Sequence, residues 1–165
     1  MERLILFRHG KAEPDSESGD DFDRRLAVRG ERESAAMGET LADLGLKPDI
    51  ALVSPATRTR ETWTAAQPAF PRAQARFDDD LYHADSGAVR RAAEKAGETA
   101  ATVMVVGHNP GLQELAVQLL VEGGAPASLV SRAQRRFPTA AAAVFLIDSN
   151  GRPAFDGLFF PERGD

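Results

Sequence analysis

At 165 residues, 42% hydrophobic and 27% charged, the chain has the size and composition of a single folded domain spanning 1–165, not of a disordered or fibrous protein. Lys and Arg number 20 against 25 Asp and Glu, so the net charge of -5 excludes a global field for nucleic acid or anionic lipid, and any anion site must be local. The absence of cysteine removes disulfides, thiolate nucleophiles and cysteine-ligated metals. No apolar run reaches the roughly 20 residues of a membrane span, and a soluble, cytoplasmic protein without a membrane partner is expected.

RLILF (3–7) is a short apolar run of the kind found in fully buried parallel strands. It delivers Arg8 and His9 to Gly10, and GKAEPDSESGDDFD then reads as a loop. From Gly30, Met37, Leu41 and Leu44 fall at helical spacing, with Gly45 as C-cap and Pro48 beyond it. DIALVS (49–54) predicts a second buried strand, and Ser54-Pro55 an N-cap and first-turn proline for a helix running towards Gln67. ARFDDDLYHAD is ambiguous between strand and loop, and a modest helix covers Val89 to Ala96, ending at Gly97.

TVMVV (102–106) is a third strand, after which Asn109-Pro110 opens a helix with Leu112, Leu115, Ala116, Leu119 and Leu120 on one face. GGAPAS is read as a loop. AAAVFLID (141–148) and RPAFDGLFF (152–160) then form an antiparallel hairpin through Ser149-Asn150-Gly151. The alternation predicts an α/β three-layer sandwich with a mainly parallel central sheet flanked by helices, in which ligands bind at the carboxyl ends of the strands. Arg8 and His9, Ser54 and Arg58, and His108 all follow predicted strands.

Two of the three histidines, His9 and His108, therefore stand beside glycines at that edge. Two arginine forks and two imidazoles suit an oxyanion, phosphate above all: guanidinium bonds two oxygens at once, and a neutral imidazole attacks phosphorus. Each arginine alone is more simply a surface ion-pair partner; the four together reverse that balance. A metal centre is not expected, because no two histidines share a helical three- or four-residue spacing and carboxylates are absent beside them. His83, in LYHAD, reads as a loop or pocket-rim residue.

LILFRHGKA resembles the RHG motif of the histidine phosphatase superfamily, SPATRTRET its S-P-x-x-R-x-x-x-T segment, and VVGHNPG its second-histidine motif. DDFDRRLAVRG, LYHA and FPTAAAAVFLID are similar to the SixA-like phosphohistidine phosphatases. The resemblance implies the phosphoglycerate mutase-like fold, a nucleophilic His9 that becomes phosphorylated, and Arg8, Arg58 and His108 as phosphate ligands. It implies no cofactor, and a phosphorylated protein such as a histidine-containing phosphotransfer domain as partner. Arg25 and Ala27 depart from the proline and threonine frequent at those places, and bear on substrate approach; Arg24, Arg25 and Arg29 form a candidate basic rim.

No match exists for the mid-chain acid that larger members use to protonate an alkoxide. Asp80, Asp85, Glu13 and Asp15 are acids without a motif. A protonated phosphohistidine needs little help from an acid, because its leaving group is neutral imidazole. The alternatives are a small-molecule phosphomonoesterase recruiting an acid such as Asp85, and a phosphoprotein-binding module that does no chemistry. Whether Ser54 or His83 reaches the pocket is open at this point.

Overall fold

The computed structural model describes residues 1 to 163. Strand β1 (Arg3–Arg8) turns Leu4 and Leu6 to one face of the sheet and Ile5 and Phe7 to the other, all four buried. Helix α1 (Val28–Asp43) starts two residues before the predicted Gly30. It ends as expected: Gly45, at φ 76°, lets the Leu46 N–H return to the Leu41 carbonyl (2.9 Å). Strand β2 (Ile50–Val53) is buried throughout.

Ser54 corrects an expectation. Helix α2 (Thr57–Ala66) begins after Ala56 without a side-chain cap, and the Ser54 hydroxyl is joined to His108 instead. The short strand β3 (Gln74–Phe77) resolves the ambiguous stretch, and helix α3 (Ser86–Ala96) begins three residues earlier than Val89, capped by Asp85. Strand β4 (Thr102–Gly107) and helix α4 (Gly111–Glu122) match the third predicted pair. Helix α5 (Ala127–Arg135) was not anticipated and begins inside the stretch read as a loop. Strands β5 (Ala142–Ile147) and β6 (Pro153–Phe159) close the chain as the expected antiparallel pair.

The sheet runs β3-β2-β4-β1-β5-β6; its first four strands are parallel and the last two antiparallel. On one face Met37 and Leu41 of α1 and Trp63 and Ala66 of α2 pack on Ile5, Phe7, Val53 and Val106. On the other, Val89, Leu112, Leu115 and Ala133 of α3, α4 and α5 pack on Leu4, Leu6, Leu52 and Val105. The result is the expected three-layer α/β sandwich. The carboxyl ends of β1, β2 and β4, three adjacent parallel strands, open onto one edge and bring His9, Ser54 and His108 there. Among the described residues no helix is long and apolar enough to cross a membrane.

Candidate active site

The sheet fixes His9 through its backbone. Its N–H donates to the Gly107 carbonyl at the end of β4 (3.1 Å), and its carbonyl accepts from the Ala140 N–H (2.9 Å). Ala140 makes that bond from φ 62°, a left-handed conformation costly for a residue with a Cβ. The side chain is 8% exposed. Nδ1 lies 2.7 Å from the Gly10 carbonyl, which can only accept, so Nδ1 carries the proton and Nε2 keeps its lone pair. Burial pushes the pKa of His9 down to about 3; the Gly10 bond acts in the opposite direction, and the charges of Arg8 and Arg58 add to the lowering. His9 is a neutral imidazole at pH 7, with a nitrogen available for attack.

Close packing excludes a side chain at Gly10. A Cβ there would stand 2.5 Å from the Gly30 carbonyl oxygen and 2.6 Å from Ser34 Oγ, so α1 rests directly on the loop that carries His9. The Gly10 N–H donates to Thr62 Oγ1 (3.0 Å), whose hydroxyl donates to the Arg58 carbonyl (2.7 Å). One buried threonine thus links the loop that carries His9 to the turn of α2 that bears Arg58.

His108 faces His9 with ring centroids 5.3 Å apart and planes at 56°. Its Nε2 is hydrogen-bonded to Ser54 Oγ (2.7 Å), while Nδ1 is buried and without a protein partner among the described residues. When the Ser54 hydroxyl is the donor, the ring proton sits on Nδ1 and meets no acceptor among the described residues. Burial, then the neighbouring His9 and Arg58, bring its pKa to about 3. The protein alone therefore holds His108 as a neutral imidazole, and an anion beside the ring would favour the imidazolium.

Both histidines bind protons more readily when unfolded, near 6.5, than when folded, near 3. Their contribution to stability is present above about pH 6.5 and is lost as the pH falls towards 3. Urea midpoints measured across this window should drop, with unfolding near pH 5 taking up close to two protons from this pair, and about one fewer in His9→Gln. A His9→Gln profile superimposable on the wild type would show that His9 is not held neutral.

The two arginines share one design. Arg8 Nη1 donates to the Phe137 carbonyl (2.9 Å), which also accepts from Asn109 Nδ2 (2.9 Å). Arg58, 7% exposed, donates from Nη1 to the Asp21 carbonyl (2.9 Å) and from Nη2 to Asp21 Oδ2 (3.0 Å). In each, protein oxygens hold the guanidinium from its terminal nitrogens while Nε is buried and lacks a partner among the described residues. Burial lowers the pKa of Arg8, and the charges of Arg163 and Arg58 lower it further. Like charges gathered around donors that lack partners among the described residues suit an anion.

Asp21, Tyr82 and Thr62 belong to this site; none was singled out from the sequence, although Thr62 closes the S-P-x-x-R-x-x-x-T segment and Tyr82 lies in LYHA. The Asp21 carboxylate accepts from Tyr82 OH (2.7 Å) and Arg24 Nη1 (2.9 Å) in addition to Arg58. The Tyr82 bond, then those from Arg24 and Arg58, hold its carboxyl well below the usual range against the effect of burial. Its one sequence signal was the DDFDRRLAVRG resemblance, in which Asp21 stands three residues before Arg24. The basic rim is largely neutralised: Arg24 pairs with Asp21, Arg25 with Glu61 (3.4 Å) and Arg29 with Glu33 (3.5 Å).

The remaining sequence candidates divide clearly. Ser54 is fully buried against His108. His83 stands exposed at the rim, its ring 3.9 Å from that of Tyr82. Asp85 is exposed and spends Oδ1 on the Ala88 N–H (2.8 Å) as the cap of α3. Glu13 meets the rim through its carbonyl, which accepts from Arg24 Nε (2.8 Å). Among the described residues no three His, Cys, Asp or Glu side chains cluster to hold a metal ion.

Comparison with known proteins identifies relatives of the chain and of its fold. Residues 4–101 match the model of the histidine phosphatase superfamily (branch 1). An uncharacterised protein of Mycobacterium tuberculosis is 36% identical over 141 residues, covering 85% of this chain and 86% of its own. A SixA protein of Agrobacterium tumefaciens, provisionally assigned as a phosphohistidine phosphatase, is similar in structure: TM-score 0.82, 31% identity, 97% of this chain and 98% of that one. The protein histidine phosphatase SixA in complex with tungstate, 25% identical, matches with TM-score 0.75 over 94% of this chain and 95% of that one. By sequence over most of its length, and by a fold that carries both histidines and both arginines to one sheet edge, the chain belongs to the histidine phosphatase superfamily, in its SixA-like branch.

Proposed function

We propose that the protein hydrolyses phosphohistidine on a protein partner through a phosphorylated His9, without a metal ion. The observation that carries the proposal is the set of buried unpaired atoms, Arg8 Nε, Arg58 Nε and His108 Nδ1, on three residues surrounding a neutral His9. In the first displacement, His9 Nε2 donates its lone pair to phosphorus and the donor's P–N bond breaks. In the second, water attacks the phosphoenzyme, the pair returns to Nε2 and phosphate is released. Charge spreads over the equatorial oxygens in both transition states, where fixed guanidinium groups stabilise it more than they stabilise a solvated ground state. A phosphate dianion against His108 raises the affinity of that ring for a proton, and the imidazolium so formed becomes the third cation.

Leaving-group chemistry selects the substrate. Among the described residues Asp21 is the carboxylate bonded to this constellation, and it is held ionised by Tyr82, Arg24 and Arg58, so it has no proton to give an alkoxide. Asp85 is committed to a helix cap. A phosphohistidine protonated on its second nitrogen departs as neutral imidazole and needs no acid. The similarity to SixA structures supports the same substrate class.

Phosphate release should be fastest from a phosphohistidine-bearing phosphotransfer domain, slower from an aryl phosphate, and slower still from an alkyl phosphate by a factor of about 100 or more, the usual contribution of a general acid. Initial rates on the three substrates at pH 7 measure this. Alkyl turnover equal to that of phosphohistidine would defeat the substrate assignment and leave the covalent mechanism standing.

A further inference from the structure

Three aromatic rings stand where the reaction as proposed does not use them. Tyr82 is half-buried, with its ring centroid 5.7 Å from that of His108 and nearly perpendicular to it, 5.0 Å from Phe22 edge-on, and 3.9 Å from His83. Its hydroxyl, 2.7 Å from Asp21 Oδ2, fixes the ring in place. Phe22 remains 37% exposed on the same short turn, Asp21–Asp23, that supplies Asp21. His83 is exposed and adopts φ 62°, a left-handed conformation that a non-glycine residue holds at a cost. Exposed aromatic surface and backbone strain at one rim do not serve the core.

Displacement geometry shows what they face. In-line attack places the leaving group across phosphorus from His9 Nε2. Nδ1 of His9 faces buried Gly10, so Nε2 points away from it, and His108, the ring beside His9, is itself in contact with Tyr82, against which the exposed Phe22 and His83 stand. We infer that Phe22, Tyr82 and His83 form a subsite for a planar heteroaromatic leaving group, the imidazole of a phosphohistidine. This rests on the covalent reaction through His9. As the P–N bond breaks, its electron pair passes to the departing ring, which already carries a proton on its other nitrogen and leaves neutral against the aromatic wall. A leaving group without a ring gains nothing there.

Two small donors separate the ring from the bond. Phosphoimidazole and phosphoramidate both transfer phosphoryl from nitrogen, and only the first releases a ring. Formation of the acid-labile phosphoenzyme, followed on the full-length protein with each donor, is expected to lose roughly threefold to tenfold more rate with phosphoimidazole than with phosphoramidate in Tyr82→Leu, the range of an aromatic pair, on top of a loss common to both donors from the missing bond to Asp21. Tyr82→Phe, which keeps the ring and loses the bond to Asp21, should affect both donors alike and retain the wild-type ratio between them. Should Tyr82→Leu fail to fold, Phe22→Leu at its exposed position supplies the same comparison with a smaller selective loss. Equal losses on both donors in the leucine variants would make the rings supports for Asp21 and Arg58, and unchanged rates would make them idle; either result overturns the subsite. Wild-type protein labelled by neither donor would overturn the covalent reaction itself, and the subsite with it.

Discussion

Replacing His9 with alanine is expected to abolish the phosphoenzyme and to slow turnover on the order of 10⁴- to 10⁶-fold, the scale of losing a nucleophile. The backbone bonds at this position, His9 N–H to Gly107 and His9 carbonyl to Ala140, do not involve the side chain and remain in the variant. The fold should persist, and the circular dichroism spectrum and urea midpoint at pH 7 will show whether it does. What disappears is the single neutral nitrogen, Nε2, that is free to bond phosphorus. Arg8, Arg58 and His108 remain, so inorganic phosphate should still bind while no acid-labile label accumulates from a phosphohistidine donor. Turnover within tenfold of the wild type, or a persistent label on another residue, would remove His9 from the nucleophile's role.

Arg58→Lys should lower kcat/KM by about 10²- to 10³-fold, comparable with removing one donor from a preorganised anion hole, although the charge is conserved. The guanidinium makes two bonds to Asp21 from its terminal nitrogens and still offers a buried Nε–H. An ammonium is a point charge without a fork: it cannot reach the carbonyl and carboxylate of Asp21 and keep a fixed donor towards phosphate. Loss of the bidentate contact also frees Asp21, whose remaining partners, Tyr82 and Arg24, lie at the rim. The phosphoenzyme should therefore form more slowly and inorganic phosphate inhibit less strongly. Kinetics with a phosphohistidine donor and phosphate as inhibitor measure both effects, and a lysine variant with wild-type values would reduce Arg58 to a local ion pair with Asp21.

How much of this was legible in the sequence depends on the distance over which each signal acts. The buried strands declare themselves locally: LILF and TVMVV have no alternation because both of their faces are covered. Arg8, His9 and His108 follow directly from those strands. Helix α5 escaped because its signal is small. Only Ala133 is fully buried in it, arginines occupy its last turn, and its start at Pro126 lacks a side-chain cap. Ser54 was misjudged for a different reason: a serine before proline is a good local cap, and the competing partner, His108, is 54 residues away.

The Asp21–Tyr82 bond joins positions 61 residues apart, and no window of the sequence displays it. The same holds for the Phe137 carbonyl that sets Arg8 from 129 residues away. Sequence patterns thus located the two histidines and two arginines of the candidate site, whereas the groups that aim them come from loops whose meeting depends on the whole fold. Asp85 is an acid near the right place on the chain, and the structure shows it exposed and engaged in the local geometry of a helix start.

The strand that bears His9 is an interior one, hydrogen-bonded to β4 on one side and β5 on the other, with the short β3 and the hairpin strand β6 forming the two margins. Fraying begins at margins, where a strand has one neighbour and water on the other side, and it costs less than the global free energy of unfolding. Such partial openings leave the backbone bonds that mount His9 in place, but the marginal β3 leads directly to Tyr82, whose bond to Asp21 steadies Arg58. Mild heat or denaturant should therefore loosen the rim of the site before the sheet interior gives way.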